Sequence, residues 1–281
     1  MSLAPFPENS VKTVVVVPCY NEAQRIDVGR FRAFLAKTSD IDFLLVDDGS
    51  TDQTRSLLTS LAQDSGGRVT VCGLDKNVGK AEAVRQGVQK ALVRSPNFVG
   101  YWDADLATPL EAIDQFRSVF LEHQEIQLVL GSRVPLLGRS IHRRTTRQLL
   151  GRSFAIAASL VLRLPVYDTQ CGAKLFRVTP ATSGLFAEPF HSRWIFDVEI
   201  LARLSCATGW GVEEMRSPLF EYPLDRWDEI AGSKLRLRDF LAAVIELAGV
   251  FWRYTLRRKQ PSTLAIPQFR KKTSTQPHRA A

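Results

Sequence analysis

Residues 98–105 read Phe-Val-Gly-Tyr-Trp-Asp-Ala-Asp. An apolar run ends in two carboxylates one residue apart. If Phe98–Trp102 is a strand, Asp103 and Asp105 leave its end on the same side, because strand side chains alternate. Two carboxylates so placed repel each other unless a cation lies between them. The cation that suits them is hard, oxygen-loving and octahedral, Mg²⁺ or Mn²⁺, and such an ion is commonly shared with substrate phosphates. An isolated D-x-D also fits an exposed turn, and the surrounding elements decide between the two readings.

Those elements alternate. Thr13–Val17 is a continuous β-branched run, expected to be a strand buried on both faces and to stop at Pro18, which has no N–H for a central ladder. Asn21 is placed as the N-cap of a helix to about Lys37. Asp42–Val46 is the second strand, and Ser50 with Gln53 resembles a capping box for the helix after it. Strands at Arg68–Cys72, Phe98–Trp102 and Ile126–Leu130 follow, with helices after Lys80 and from Thr108-Pro109. Five strand–helix alternations predict an α/β fold, a mostly parallel sheet with helices on both faces. Ligands of such sheets bind outside the carboxyl ends of the strands. Pro18–Glu22, Asp47-Asp48, Asn77–Lys80, Asp103/Asp105 and Arg133 all fall there, which favours the metal–diphosphate reading over the turn.

The second half reads differently. Leu149–Leu164 is a mostly apolar helix. Tyr167–Gly172 leads into a short strand, Ala173–Arg177. A helix lies near Asp197–Thr208, strands at Gly211–Met215 and Leu219–Tyr222, and a long helix at Leu235–Leu256. Within that helix Phe240–Trp252 is apolar except for Glu246. This is too short to span a bilayer, but it suits the interface, with Trp252 and Tyr254 at headgroup level and Arg253, Arg257, Arg258 and Lys259 outside. A helix packed on the domain with a solvated basic end fits equally well. The segments expected are a leader at 1–11, a main domain at 12–232, a basic amphipathic helix at 233–259 and a disordered tail at 260–281.

Composition narrows the class. At 281 residues, 45% hydrophobic and 23% charged, the chain is an ordinary globular protein. Its four cysteines form no C-x-x-C pair, so neither a zinc nor a disulfide framework is expected. No signal peptide and no apolar stretch long enough for a membrane helix is visible, so a cytoplasmic protein, peripheral on the cytosolic face of a membrane, is expected. The net charge of +8 is uneven: residues 233–281 hold eleven Lys/Arg against two acids, and residues 131–152 hold six Arg and no acid. Two basic zones on an otherwise acidic protein imply anionic partners at defined places.

Each polar cluster has a chemistry and an ordinary alternative. Asp47 or Asp48 could accept hydrogen bonds from a base or ribose, although receiver domains also carry paired acids at strand ends. Lys80, after Gly79 at a helix N-terminus, suits a phosphate or a base carbonyl, and no Walker loop is present. Arg133, Arg143, Arg144 and Arg147 could neutralise a diphosphate or a phosphorylated acceptor, or simply solvate a helix. Asp168 could act as a base or align a nucleophile, or it could be a turn Asp paired with an Arg. No helix-turn-helix or RNA-binding signature accompanies the arginines, so no nucleic acid beyond a nucleotide is expected.

Taken in order, V-V-V-P-C-Y-N-E (15–22), V-D-D-G-S-T-D (46–52), N-x-G-K (77–80), D-A-D-L (103–106) and G-S-R (131–133) resemble the GT-A family 2 inverting glycosyltransferases. Further on, D-T-Q-C-G-A-K-L-F (168–176), R-W-I-F-D-V-E-I-L (193–201) and E-I-A-G-S-K-L (229–235) resemble the dolichyl-phosphate β-glucosyltransferases and related polyprenyl-phosphate sugar transferases. The resemblance implies a GT-A (Rossmann-like) fold with a C-terminal amphipathic helix. It puts Pro18, Tyr20, Glu22, Asp47, Asp48, Lys80, Asp103 and Arg133 around a nucleotide sugar, with UDP-glucose the expected donor. Asp103 and Asp105 would hold the metal, and Asp105 and Asp168 would be the catalytic carboxylates. Arg143, Arg147, Gln170, Trp194, Asp197 and Lys234 would lie on the acceptor and diphosphate side, with Glu199 in the same covering segment as Trp194. The expected acceptor is a polyprenyl phosphate at a membrane surface. Two departures stand out. The chain lacks the N-terminal membrane helix of the eukaryotic enzymes, and Ala107 replaces the Gln often found in the mannosyl branch. A family 2 enzyme using GDP-mannose, or one with a hydroxyl acceptor, is the alternative.

Overall fold

The computed structural model describes residues 12–142, 145–208, 218–228 and 237–256. Among the described residues nine strands lie in chain order: β1 (Thr13–Cys19), β2 (Ile41–Asp47), β3 (Val69–Gly73), β4 (Phe98–Trp102), β5 (Leu128–Ser132), β6 (Ser140–His142), β7 (Ala173–Arg177), β8 (Leu219–Pro223) and β9 (Arg226–Asp228). Seven of them form one sheet in the order β3-β2-β1-β4-β7-β5-β8, and β6 pairs with β9 in a small second sheet. Strand β7 enters antiparallel between β4 and β5, and the other pairings in the large sheet are parallel. The α/β, mostly parallel architecture is therefore as expected.

The helices are α1 (Val28–Lys37), α2 (Thr54–Gln63), α3 (Lys80–Leu92), α4 (Ala112–Glu122), α5 (Thr145–Leu162), α6 (Pro180–Gly184), α7 (Phe196–Thr208) and α8 (Leu237–Val250), which runs into a π-helical turn at Phe251–Leu256. Strand alternation sorts the core into two layers. Val14 and Val16 of β1, with Val99 and Tyr101 of β4, face α3, α5, α7 and the C-terminal helix. Val15 and Val17, with Phe98 and Trp102, face α1, α2 and α4. Such two-sided burial is why these strands read as continuous apolar runs.

Several local expectations change. Strand β1 does not stop at Pro18, which pairs in register with Val46. On the other side β1 pairs with β4 only as far as Val16, so Pro18 lies beyond that ladder and its missing N–H costs nothing there. Asn21 does not cap α1. Its backbone is left-handed, at φ 52°, a conformation Asn tolerates. Its amide oxygen accepts from Thr51 N at 2.9 Å, tying the loops after β1 and β2 together. The cap is Asp27, which accepts from Arg30 N. Ser50 and Gln53 form no capping box, because Ser50 Oγ accepts from Asn21 N instead. The expected strand at 211–215 and the segments 1–11 and 260–281 lie outside the described residues.

The C-terminal helix packs on the domain. Leu247, Val250 and Tyr254 are buried in the layer shared with α5 and α7, while Val244, Ile245 and Trp252 face outward. Among the described residues no helix is long and apolar enough to cross a membrane.

Candidate active site

The end of β4 is held by β7. Trp102 pairs with Ala173, and Asp103 N donates to Gly172 O at 3.0 Å. A Cβ on Gly172 would lie 1.8 Å from Asp103 Oδ2, so the side-chain-free residue of the D-T-Q-C-G stretch makes the room in which the first carboxylate of D-A-D sits. Across this edge Lys80, the first residue of α3, reaches Asp103 Oδ1 at 2.5 Å. Burial alone would lower the Lys80 ammonium, but Asp103, Asp197 and Asp105 outweigh it and hold its pKa up.

Asp105 turns back to accept from Ala107 N at 3.1 Å. Its pKa is raised by burial and then by Asp103. Glu22, from the loop after β1, faces the same pair: burial raises it most, its partner Arg25 lowers it, and Asp105 and Asp103 raise it further. Three carboxylates from two loops thus lie near one another, against the two cations Lys80 and Arg25. The one negative charge left over, on hard oxygen donors, fits a divalent cation. Among the described residues no three metal-ligating side chains converge on one point, so Asp103 and Asp105 would supply only part of a coordination shell.

Next to this, β2 ends in two buried acids with different tasks. Asp48 accepts from Val78 N at 2.7 Å and Gly79 N at 2.9 Å, clamping the loop that precedes Lys80. Burial raises its pKa against these bonds. Asp47 accepts from Ser50 N at 3.1 Å and meets Arg55 at 3.3 Å. Pro18 is half-buried in β1, and Tyr20 is exposed beyond it. Cys19, beside them, is no nucleophile, because burial and then Glu22 and Asp47 push its thiol up.

On the far side of β7, Arg133 and Asp168 meet. Arg133 Nε and Nη2 donate to the two Asp168 oxygens at 2.6 and 2.8 Å, and Gln170 N adds a bond at 3.2 Å. The fork geometry is that of a charge-assisted bidentate pair. Of the two readings of Asp168, the turn Asp paired with an Arg is the one these bonds match, with Arg133 as the partner. Glu221, on β8, accepts from the Tyr167 and Asp168 amides at 2.9 and 2.6 Å and so fixes the turn. The side-chain nitrogen of Gln170 is buried with no partner among the described residues, a donor left over for a ligand oxygen.

Beneath the D-A-D edge, Asp197 is only 4% exposed. It accepts from Tyr101 Oη and from the buried Lys174 ammonium, each at 2.5 Å. Lys174 also donates to the Thr169 and Cys171 carbonyls. Asp197, expected on the acceptor and diphosphate side, is thereby tied to Tyr101 and Lys174 and anchors the start of α7 to the sheet. Glu199 is also structural: it accepts from His191 N, Ser192 N, Ser192 Oγ, Arg203 and Tyr254. Trp194 is half exposed in the loop before α7. Arg143, Lys234 and the Arg147 side chain lie outside the described residues. Glu221 and Lys174 carry no site role in the sequence reading; each is a charge at an interior position of a short, mostly apolar strand, the signal that marks them.

Comparison with known proteins agrees with this geometry. The profile of the family "Glycosyl transferase family 2" matches residues 14–182. A dolichyl-phosphate beta-glucosyltransferase of Drosophila melanogaster is 34% identical over 240 residues, 80% of this chain and 70% of that protein. The protein of the same name from Homo sapiens is 33% identical, over 79% of this chain and 68% of its own. Among solved structures, glucosyl-3-phosphoglycerate synthase from Mycobacterium tuberculosis, in complex with Mn²⁺, UDP-glucose and phosphoglyceric acid, superposes with a TM-score of 0.62 at 18% identity, covering 93% of this chain and 82% of that one. That last likeness shows the GT-A-like fold. The chain belongs to glycosyl transferase family 2 and is a glycosyltransferase.

Proposed function

We propose that the enzyme moves glucose from UDP-glucose, with inversion, to a polyprenyl phosphate of the dolichyl type at a membrane surface. The observation that carries this reading is the extent of the likeness. The relatives named for glucosyl transfer to dolichyl phosphate match over 240 residues, well beyond the family's own 14–182. The acceptor half of the chain thus shares in it.

The site's chemistry supports the same reaction. Asp103 and Asp105 would hold Mg²⁺ or Mn²⁺ on the donor diphosphate, where the ion supplies positive charge as the leaving group departs. Lys80 and the amide-rich start of α3 stand on the same edge and favour the same developing charge. Asp47 and Asp48, at the end of β2, lie beside it on the nucleotide side. On the acceptor side Asp168 is held by Arg133, and a carboxylate in such a pair is a poor base. A phosphate oxygen is already anionic and needs none, so Asp168 acts as a positioning residue for Arg133 and Gln170. A hydroxyl acceptor would need a proton removed.

The membrane contact rests on the outer face of α5 and α8. Leu160, Ile245 and Trp252 are 74%, 72% and 55% exposed, and Arg253 follows in the π turn. Apolar side chains beside cations suit a lipid headgroup boundary.

The test is metal-dependent release of UDP from UDP-glucose in the presence of a polyprenyl phosphate, with the Asp105→Ala variant as control. Release by the native enzyme, lost on chelation and in the variant, is expected. Full activity in the variant would remove Asp105 from the site.

A further inference from the structure

Glu246, half-buried on the C-terminal helix, reaches across to the loop before α7. Its carboxylate accepts three consecutive backbone amides: Arg193 N at 3.1 Å, Trp194 N at 3.0 Å and Ile195 N at 3.2 Å. These amides lie just before α7 begins at Phe196, where the helix dipole favours negative charge. Glu246 therefore anchors the loop that leads into α7 from another helix, fifty-one to fifty-three residues further along the chain.

The loop so held reaches the donor site. A Cβ on Gly79 would lie 3.4 Å from Arg193 Nη2, so the Arg193 guanidinium covers the residue directly before Lys80. Its charge also lowers Asp48, which clamps the Val78 and Gly79 amides. Arg193 and Lys80 are thus two cations at the start of α3, across from Asp103. On its other side the loop continues into Asp197, anchored to Tyr101 and Lys174. The loop is pinned at both ends, from the sheet by Asp197 and from the C-terminal helix by Glu246.

We propose that Glu246 is a positioning residue of the transfer reaction: by holding the 193–195 backbone it sets the Arg193 guanidinium over the Asn77–Lys80 loop, where it works with Lys80 on the donor diphosphate. The C-terminal helix is then part of the donor site as well as an outer layer. Val244 and Ile245, which immediately precede Glu246, face outward, so whatever seats on that face bears directly on the donor grip. This rests on the proposed use of a sugar nucleotide, but not on which acceptor receives the sugar.

The experiment is a double-mutant cycle with Glu246→Gln, Arg193→Ala and the double variant, read as kcat/KM for the nucleotide sugar. It is paired with amide hydrogen exchange across residues 190–200. If Glu246 acts through Arg193, Glu246→Gln lowers kcat/KM about tenfold, and the double variant stays within about twofold of Arg193→Ala alone. Exchange at 193–195 rises while exchange in the sheet is unchanged. Multiplying losses, or a Glu246→Gln activity within twofold of native, overturns the proposal. If the native enzyme turns over no sugar nucleotide, the reading of the donor fails, and the exchange arm still tests the clamp: unchanged protection at 193–195 in Glu246→Gln would refute it.

Discussion

The carboxylate of Asp103 occupies the space that a Cβ on Gly172 would fill, 1.8 Å from the would-be atom. The two residues come from motifs almost seventy positions apart. They meet because β7 returns antiparallel beside β4 and sets Gly172 against the end of the strand that carries D-A-D. The D-A-D end of β4 and the D-T-Q-C-G loop are therefore joined by the backbone bond from Asp103 N to Gly172 O.

Gly172→Ala should displace the Asp103 carboxylate and leave the rest of the sheet in place. A shift of this size in a reacting geometry costs about a hundredfold in turnover. Steady-state kinetics alongside a thermal melt check it: a large fall in kcat/KM with a Tm near native is expected. Near-native activity would show that Asp103 can sit elsewhere.

Asp168→Asn should destabilise the fold, because it leaves the Arg133 guanidinium without its counter-charge. Breaking a buried pair of this kind costs about 3–5 kcal/mol. Both side chains are well shielded, at 13% and 8% exposure, so little solvent discount applies. In the pH–rate profile of the surviving activity the acid limb should persist. Its disappearance would mean that Asp168 acts as the base after all.

Glu199 gives a pH dependence with a definite sign. Burial raises its pKa, but Arg203 and the Ser192 and Tyr254 bonds outweigh that and hold it below the ordinary value. A depressed carboxylate contributes stability that is complete above its unfolded pKa, about 4.3, and is lost as pH falls through the folded one. Chemical denaturation at pH 7 and across pH 5 to 3 should show Glu199→Gln less stable by about 3 kcal/mol at neutral pH, with a flatter acid slope. Parallel curves for the two proteins would contradict this assignment.

Ile245→Asp and Leu160→Asp should weaken sedimentation with vesicles of mixed neutral and anionic lipid at least fivefold. Activity on detergent-solubilised acceptor should change less. Unaltered vesicle binding in both variants would leave the outer face of α5 and α8 without a membrane role.

Much of this was legible because strand alternation is local. The parity of Asp103 and Asp105 followed from Phe98–Trp102, and the five strand ends gathered the polar clusters. What the chain hid is non-local. Nothing in Ala173–Arg177 says that it enters antiparallel between β4 and β5, because pairing partners leave no periodic trace. Asp168 reads either as a catalytic carboxylate or as a turn Asp paired with an Arg, and Arg133 as one of four candidate arginines, because a sequence shows charges but not which of them meet. The partners of Asp197 and Glu199 are hidden for the same reason. Glu246 looked like a break in an apolar stretch, and only the position of the 193–195 amides gives it a task. Asn21 was misread because capping and left-handed turns draw on the same short polar side chains.

Transfer of glucose from UDP-glucose to a phosphorylated lipid is checked by one matrix of rates: UDP-glucose, UDP-galactose and GDP-mannose, each against a polyprenyl phosphate and against the same lipid ending in a hydroxyl, with Mn²⁺ present. Turnover with UDP-glucose and the phosphorylated lipid, far above the other five combinations, is expected. Turnover confined to the hydroxyl acceptor, or led by GDP-mannose, would contradict it.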